Sequence, residues 1–195
     1  MEFVLASESA RRVEILSMLG LKFNTYRHKF KEPKIKNHPV PEKFVEELAI
    51  KKAESVAYEL KDKVIITADT IVVLKNEIIG KPKDVADAIE ILKKLSGTKH
   101  KVYTGVCIYY PLKKILVSDV EVSVVYTNKL SIEEIKKFAG KHLDKAGAYA
   151  VQQKDDRFVR KIVGDYYNVV GFPVVLFLEL YKKFWQRLLR QQNLI

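Results

Sequence analysis

Two long stretches of β-patterned residues, Lys101 to Tyr110 and Ile115 to Tyr126, are separated only by Pro111-Leu112-Lys113. So short a link requires an antiparallel hairpin, because a parallel pair needs a crossover of a dozen residues or more. Elsewhere the pattern alternates between strand and helix. Phe3 to Ala6 reads as a short buried strand. Ala10 to Leu19 has the apolar spacing of a helix and stops at Gly20. A second strand falls near Lys22 to Tyr26, and His28 to Pro41 is a polar, basic loop. Pro41 opens a helix reaching to about Leu60, with Val45, Leu48, Ala49, Ala53, Val56 and Leu60 on one stripe. Two apolar runs follow, Lys63 to Ala68 and Ile71 to Leu74, then a turn and Ile78-Ile79 as a returning strand. Asp84 caps a helix to Leu95, and Ser131 with Glu134 forms a capping box for a helix ending at Gly140. Ala146 to Gln152 and Arg157 to Val163 read as strands. Pro173 opens a last helix to about Arg190. Strands alternating with helices, plus one hairpin, give an α/β fold: a mixed, twisted central sheet flanked by helices, with an extended β-hairpin.

The 195 residues, 48% of them hydrophobic, suit one core rather than two, so residues 1–195 are expected to form a single domain. No apolar run approaches the ~20 residues of a membrane span. The start Met-Glu-Phe-Val-Leu lacks the basic leader of a secretory signal, and a lone cysteine, Cys107, fits a reducing compartment, so a cytoplasmic protein is expected. A net charge of +11 draws polyanions, whether nucleic acid or phosphorylated metabolites. The basic residues are dispersed, however, and no recognition helix stands out. A Gly-x-x-x-x-Gly-Lys-Ser/Thr phosphate loop, a Gly-x-Gly-x-x-Gly dinucleotide motif and zinc-ligand spacing among His28, His38, His100 and His142 are all missing.

Five segments carry chemistry. In Leu5-Ala6-Ser7-Glu8-Ser9-Ala10-Arg11-Arg12 a strand passes through two serines into a helix with arginines in its first turn. Cations there oppose the helix dipole, an arrangement that makes sense if a phosphate supplies the negative charge. The plain alternative is a serine cap with two solvated arginines. Lys52 lies between Leu48 and Val56 on the helix stripe. It either snorkels to the surface, the reading that spacing alone favours, or enters a polar pocket. Asp69, followed by Thr70, sits between two apolar strand runs. It is costly to bury unless paired or bound to a cation; otherwise it is a turn residue. Lys81, held between Gly80 and Pro82, is either a point charge for a phosphate or an ordinary turn lysine. Glu32, the acid of a basic stretch, is either a second metal-ligating carboxylate or a charge balancing its neighbours.

Taken together the segments resemble one family, the Maf-like nucleotide pyrophosphatases, relatives of the inosine-triphosphate pyrophosphatase fold. The likeness runs through Leu5-Ala6-Ser7-x-Ser9-x-Arg11-Arg12, Leu48-Ala49-x-x-Lys52-Ala53, Ala68-Asp69-Thr70-x-Val72 and Gly80-Lys81-Pro82. It continues in Leu95-Ser96-Gly97-x-x-His100-x-Val102-Tyr103-Thr104-Gly105, Ala146-Gly147-Ala148-Tyr149-x-x-Gln152 and Tyr166-x-Asn168-Val169-Val170-Gly171-x-Pro173. The sequence departs from the pattern at Ala10, where proline is common, at Gln153, where glycine is usual, and at His28, Lys29 and Lys31, where acids often precede Glu32.

The resemblance implies that Asp69 is the catalytic aspartate, accepting a proton from the attacking water. It implies that Ser7, Ser9, Arg12, Lys52 and Lys81 face the phosphates, and that Glu32 with Asp69 holds a divalent cation, Mg²⁺ or Mn²⁺. Arg12, Thr70 and Gln152 would set substrate choice. The Tyr149-x-x-Gln152 block looks like the branch that hydrolyses dTTP and UTP to the monophosphate and pyrophosphate, a house-cleaning role. Two alternatives stand beside this one: a regulatory nucleic-acid-binding or septum-inhibiting protein, and a pyrophosphatase of the same fold acting on non-canonical purine triphosphates. A nucleoside triphosphate is the expected partner, with no stable nucleic-acid or membrane partner. A homodimer is expected from the exposed-looking aromatic and β-branched residues of the hairpin.

Overall fold

A computed structural model describes residues 1–33, 38–151 and 157–192. Its strands are β1 (Phe3–Ala6), β2 (Phe23–Tyr26), β3 (Val64–Leu74), β4 (Glu77–Ile79), β5 (Lys99–Tyr110), β6 (Ile115–Thr127) and β7 (Val159–Val163). Its helices are α1 (Ala10–Met18), α2 (Pro41–Glu54), α3 (Val85–Leu95), α4 (Ile132–Phe138), α5 (Tyr166–Val170) and α6 (Val174–Gln192). The strands form one sheet in the order β2-β1-β3-β5-β6-β7, with β4 also paired to β3. β1 runs parallel to β2 and β3, and the remaining pairings are antiparallel. The expected mixed sheet is therefore present.

The pleat sorts side chains onto two faces. Along β3, Ile65, Thr67, Asp69, Ile71 and Val73 look toward α2. Thr67 donates its hydroxyl to the Ala49 carbonyl at 2.6 Å, and Ile71 and Val73 pack with Phe44, Val45 and Leu48. Val64, Ile66 and Ala68 look the other way, into a core shared with Ile15 and Leu16 of α1 and Phe177, Phe184 and Leu188 of α6. Helix α2 lies very close to the sheet because β5 carries Gly105 beneath it. A Cβ there would stand 2.5 Å from the Val45 carbonyl oxygen. Gly105→Ala must push α2 outward and is expected to destabilise the protein by about 1–3 kcal/mol, the usual range for overpacking. An unchanged urea midpoint would contradict this packing.

The hairpin is as expected, in register from Lys99 opposite Tyr126 to Tyr110 opposite Ile115, and closed by a 3-10 turn at Pro111–Lys113. Its position differs from the expectation of an exposed element. β3 and β7 flank it, and Tyr103 and Tyr110 are buried. The capping box of Ser131 with Glu134 and the Asp84 cap of α3 are both formed.

Three local expectations need correction. β3 is one strand of eleven residues that runs straight through Asp69-Thr70, not two runs with a break. Helix α2 ends at Glu54 rather than near Leu60. There the Ser55 hydroxyl donates to the Lys52 carbonyl and accepts the Lys29 N–H, competing with the helical ladder. Residues Ala146–Ala148 form a 3-10 turn instead of starting a strand. Gly147 and Ala148 both adopt positive φ, 79° and 58°, and the Gly147 N–H is taken by the Gly80 carbonyl. Helix α5, unforeseen, is started by Asp165, whose carboxylate accepts the Tyr167 N–H at 2.7 Å.

Candidate functional site

One edge of β3 has a gap. β1 covers it from Val64 to Ile66, and β4 takes it up again only at Val72. Asp69 and Thr70 lie in between, on opposite faces of the strand. An acid can sit mid-strand here because the gap opens to a cavity of about 610 Å³. That cavity is lined by Ser7, Ser9, Arg12, Glu32, Lys52, Asp69, Thr70 and Lys81, so the candidates from five separate segments converge on one place. Gln152 lies outside the described residues.

On the α2 face, Asp69 is 5% exposed and Lys52 3%. Lys52 does not snorkel. Its ammonium donates to Asp69 Oδ1 and forms an ion pair with Glu32 Oε1 at 2.6 Å. Two carboxylates from distant segments thus share one buried cation. Burial pushes the Asp69 carboxyl above its usual range, with Glu32 adding to the rise and Lys52 and Arg12 opposing it. Burial acts in the same direction on half-exposed Glu32. There the charge and hydrogen bond of Lys52, helped by Lys81 and His28, prevail and hold it below the usual range. His28, at the cavity wall, is held below its ordinary value by burial and then by Lys52.

On the other face, Arg12 is a structural clasp as well as a cation. Its Nε donates to the Gly171 carbonyl at 3.0 Å and its Nη1 to the Ala68 carbonyl at 2.7 Å and Ser7 Oγ at 3.4 Å. Its Nη2 donates to Thr70 Oγ1 at 3.2 Å. Four of the five guanidinium N–H groups are used this way, and the fork is fixed against the strand gap. The serine-cap alternative for this segment does not hold: Ser9 occupies the N-cap of α1 without a side-chain cap bond, and the first turn holds no acid. The Arg12 N–H is taken by the Ser9 carbonyl, which leaves the Ala10 and Arg11 N–H groups at the helix start for an anion at the cavity wall.

Beyond Thr70 the lining turns apolar. Val72 and its β5 partner Val102 meet the ring of Tyr149, whose hydroxyl is tied to His100 Nε2 at 2.7 Å. The site therefore has two characters: two carboxylates and several cations toward α2 and the loops, and an aliphatic and aromatic wall on the opposite face of β3. A polyanion with an attached flat ring fits both. Sequence reasoning missed Lys145 and Asp144 on the cavity wall, which pair with each other at 2.8 Å. Only their place just before Ala146-Gly147-Ala148-Tyr149 could have signalled them. Among the described residues no cluster of three or more His, Cys, Asp or Glu side chains is positioned to hold a metal, and no helix is long and apolar enough to cross a membrane.

The family model described as Maf-like protein matches residues 2–184. The dTTP/UTP pyrophosphatase of Aquifex aeolicus (strain VF5) is 46% identical over 197 aligned positions, covering 100% of this chain and 97% of that protein. The dTTP/UTP pyrophosphatase of Elusimicrobium minutum (strain Pei191) is 42% identical, over 94% of this chain and 99% of its own. That of Alkaliphilus metalliredigens (strain QYMF) is 49% identical, over 88% and 90%. Among solved structures, the Staphylococcus aureus Ham1 protein aligns with a TM-score of 0.47 at 17% identity, covering 65% of this chain and 72% of its own.

Proposed function

The chain belongs to the Maf-like protein family, and on that premise we propose that it is a nucleoside triphosphate pyrophosphatase converting dTTP and UTP to the monophosphate and pyrophosphate. What carries this reading is the placement of Asp69, a single buried carboxylate in the gap of β3, clamped by Lys52 and opening on a cavity ringed with cations. Relatives at 42–49% identity that are named for this activity support the substrate assignment. Residues 1–195 would act as one catalytic domain in the cytoplasm, removing unwanted nucleotides, with no nucleic-acid partner.

In this reading Asp69 accepts a proton from water attacking the α-phosphorus, and pyrophosphate leaves. A carboxyl raised by burial is a stronger base than an exposed one, which suits that role. Ser7, Ser9, Arg12, Lys52, Lys81 and the open start of α1 meet the phosphate oxygens and stabilise charge as the bond breaks. Asp69 and Glu32 already converge on one cation, Lys52, so their oxygens also suit a hard divalent ion, Mg²⁺ or Mn²⁺. Two carboxylates are few for such an ion, so waters and substrate oxygens would complete its shell. When bound, it would neutralise charge on the phosphates. Gln152 would read the base, because a side-chain amide both donates and accepts and so matches an imide edge.

The test is pyrophosphate release from dTTP, UTP, CTP, GTP and 7-methyl-GTP. The first two should give the highest kcat/KM, and equal values for all five would defeat the proposal. Gln152→Glu should narrow the preference. Arg12→Lys loses the planar fork that ties Ser7, Ala68, Thr70 and Gly171 together. Its kcat/KM is expected to fall roughly 10- to 100-fold, the scale of a small misplacement of reacting groups. Wild-type kinetics in Arg12→Lys would show that the clasp has no part in catalysis. A homodimer also belongs to this reading, and a concentration-independent mass of 22.5 kDa by light scattering would contradict it.

A further inference from the structure

We propose that Thr104 is a positioning residue that fixes Thr70 as a hydrogen-bond acceptor toward the substrate and so selects bases carrying an imide N–H. The inference rests on the pyrophosphatase reading and adds to it a reason for preferring thymine and uracil over cytosine.

The observation is a directed chain of hydrogen bonds. Arg12 Nη2 can only donate, and it donates to Thr70 Oγ1 at 3.2 Å. At the far end the Asn168 carbonyl can only accept, and it receives the Thr104 hydroxyl at 3.3 Å. Between them Thr70 Oγ1 and Thr104 Oγ1 are 3.0 Å apart. Thr104 is fully buried and has already given its one proton to Asn168, so the Thr70 hydroxyl must donate to Thr104. The order is Arg12 to Thr70 to Thr104 to the Asn168 carbonyl. The reverse sense would leave Thr104 with no donor to its buried oxygen and would lose one bond from the chain. The charged donor at the start also polarises the Thr70 hydroxyl, so each bond strengthens the next.

The consequence falls on Thr70. Its proton is committed to Thr104 and one lone pair to Arg12. What remains for the cavity is a lone pair. Thr70 lies on the face of β3 that carries Val72, opposite Val102 and near the Tyr149 ring, where a flat base would rest, while Asp69 and Lys52 occupy the other face. A fixed acceptor beside the base matches the N3–H of thymine or uracil. It meets the bare N3 of cytosine lone pair to lone pair. Guanine also carries a ring N–H, so this acceptor does not distinguish purines.

The test uses kcat/KM for dTTP and dCTP with wild type, Thr104→Val and Thr104→Ser. Valine keeps the shape of Thr104, and the Asn168 carbonyl retains its bond from the Gly171 N–H at 3.0 Å. The freed Thr70 proton can then turn toward the substrate. The dTTP/dCTP ratio should shrink by about tenfold in Thr104→Val, the scale of one hydrogen bond, mainly through a lower KM for dCTP. Serine restores the relay and should restore the ratio. On the wild type, N3-methyl-dTTP should lose about tenfold against dTTP, whereas 2′,3′-dideoxy-TTP should not. A folded Thr104→Val with the wild-type ratio overturns the proposal, as does N3-methyl-dTTP turning over like dTTP. Should Thr104→Val fail to fold, Thr104→Ala carries the same comparison of dTTP with dCTP. Loss with the dideoxy analogue but not the methylated one would place the donor on the sugar and also overturns it. A wild type that hydrolyses dTTP but shows these failures leaves the pyrophosphatase reading standing. One that hydrolyses no nucleotide overturns both.

Discussion

Asp69→Asn is expected to give a folded protein whose kcat is lower by roughly 10²–10⁴, the usual contribution of a positioned general base. Asparagine has nearly the same shape, so the strand and the cavity need not change. It cannot take up a proton at neutral pH, and it offers a metal ion a weaker oxygen. Stability should suffer little. The buried aspartate is itself costly, and Lys52 keeps its second partner, Glu32, when the charge at Asp69 is removed. The variant should therefore melt close to the wild type, and the loss should appear in kcat. Full turnover by a folded Asp69→Asn protein would remove Asp69 from the chemistry.

Lys52→Met should act on both folding and activity. With the ammonium gone, the buried Asp69 carboxylate faces that of Glu32 with no cation between them. Breaking a buried ion pair typically costs 3–5 kcal/mol. About 3 kcal/mol is expected here, because Glu32 is half-exposed and can turn back to water. The pH dependence has a definite sign. Without Lys52 the folded-state pKa of Asp69, already raised by burial, rises further above its unfolded value. A carboxyl with a raised folded pKa binds its proton more tightly in the native state. Its destabilising effect is absent at low pH and grows as pH rises through the folded pKa. The gap in unfolding free energy between wild type and Lys52→Met should thus be wide at pH 7.5 and narrow as the pH is lowered toward about 5. Urea denaturation at the two pH values measures it. A neutral or stabilising effect at pH 7.5 would mean that the lysine contributes only its helix propensity, as a surface residue would.

The architecture was largely legible because its signals are local. The hairpin follows from two β-patterns and a three-residue link, α4 from the Ser131 and Glu134 box, and α3 from Asp84. Where tertiary contacts decide, the sequence was silent. Asp69-Thr70 looks like a break between two apolar runs, yet β3 continues through it, since the open edge and Lys52 supply what the aspartate needs. Ala146 to Gln152 reads as a strand with Tyr149 and Val151 in it, but a bond from Gly147 to the Gly80 carbonyl bends its first residues into a turn. Helix α5 has only five residues and no periodicity to detect.

The site divides along the same line. Its residue types were readable segment by segment, because cations without local partners and an acid between apolar runs are costly unless something uses them. The direction of Lys52 was not readable. A lysine on an apolar stripe has the same spacing whether it snorkels or turns inward, and only the position of Asp69 opposite α2 decides. The Lys52 to Glu32 pair joins segments with no sequence pattern between them. Thr104 carried no signal of its own beyond the motif around it: a hydroxyl inside a strand pattern looks like any other, and its role depends on Thr70 and Asn168 being brought to either side of it.

The most direct measurement is the product itself. Purified protein incubated with dTTP and a divalent cation, followed by phosphorus NMR, should yield dTMP and pyrophosphate in equal amounts, with neither dTDP nor orthophosphate accumulating. Formation of dTDP with orthophosphate would place the attack at the γ-phosphorus and contradict the account.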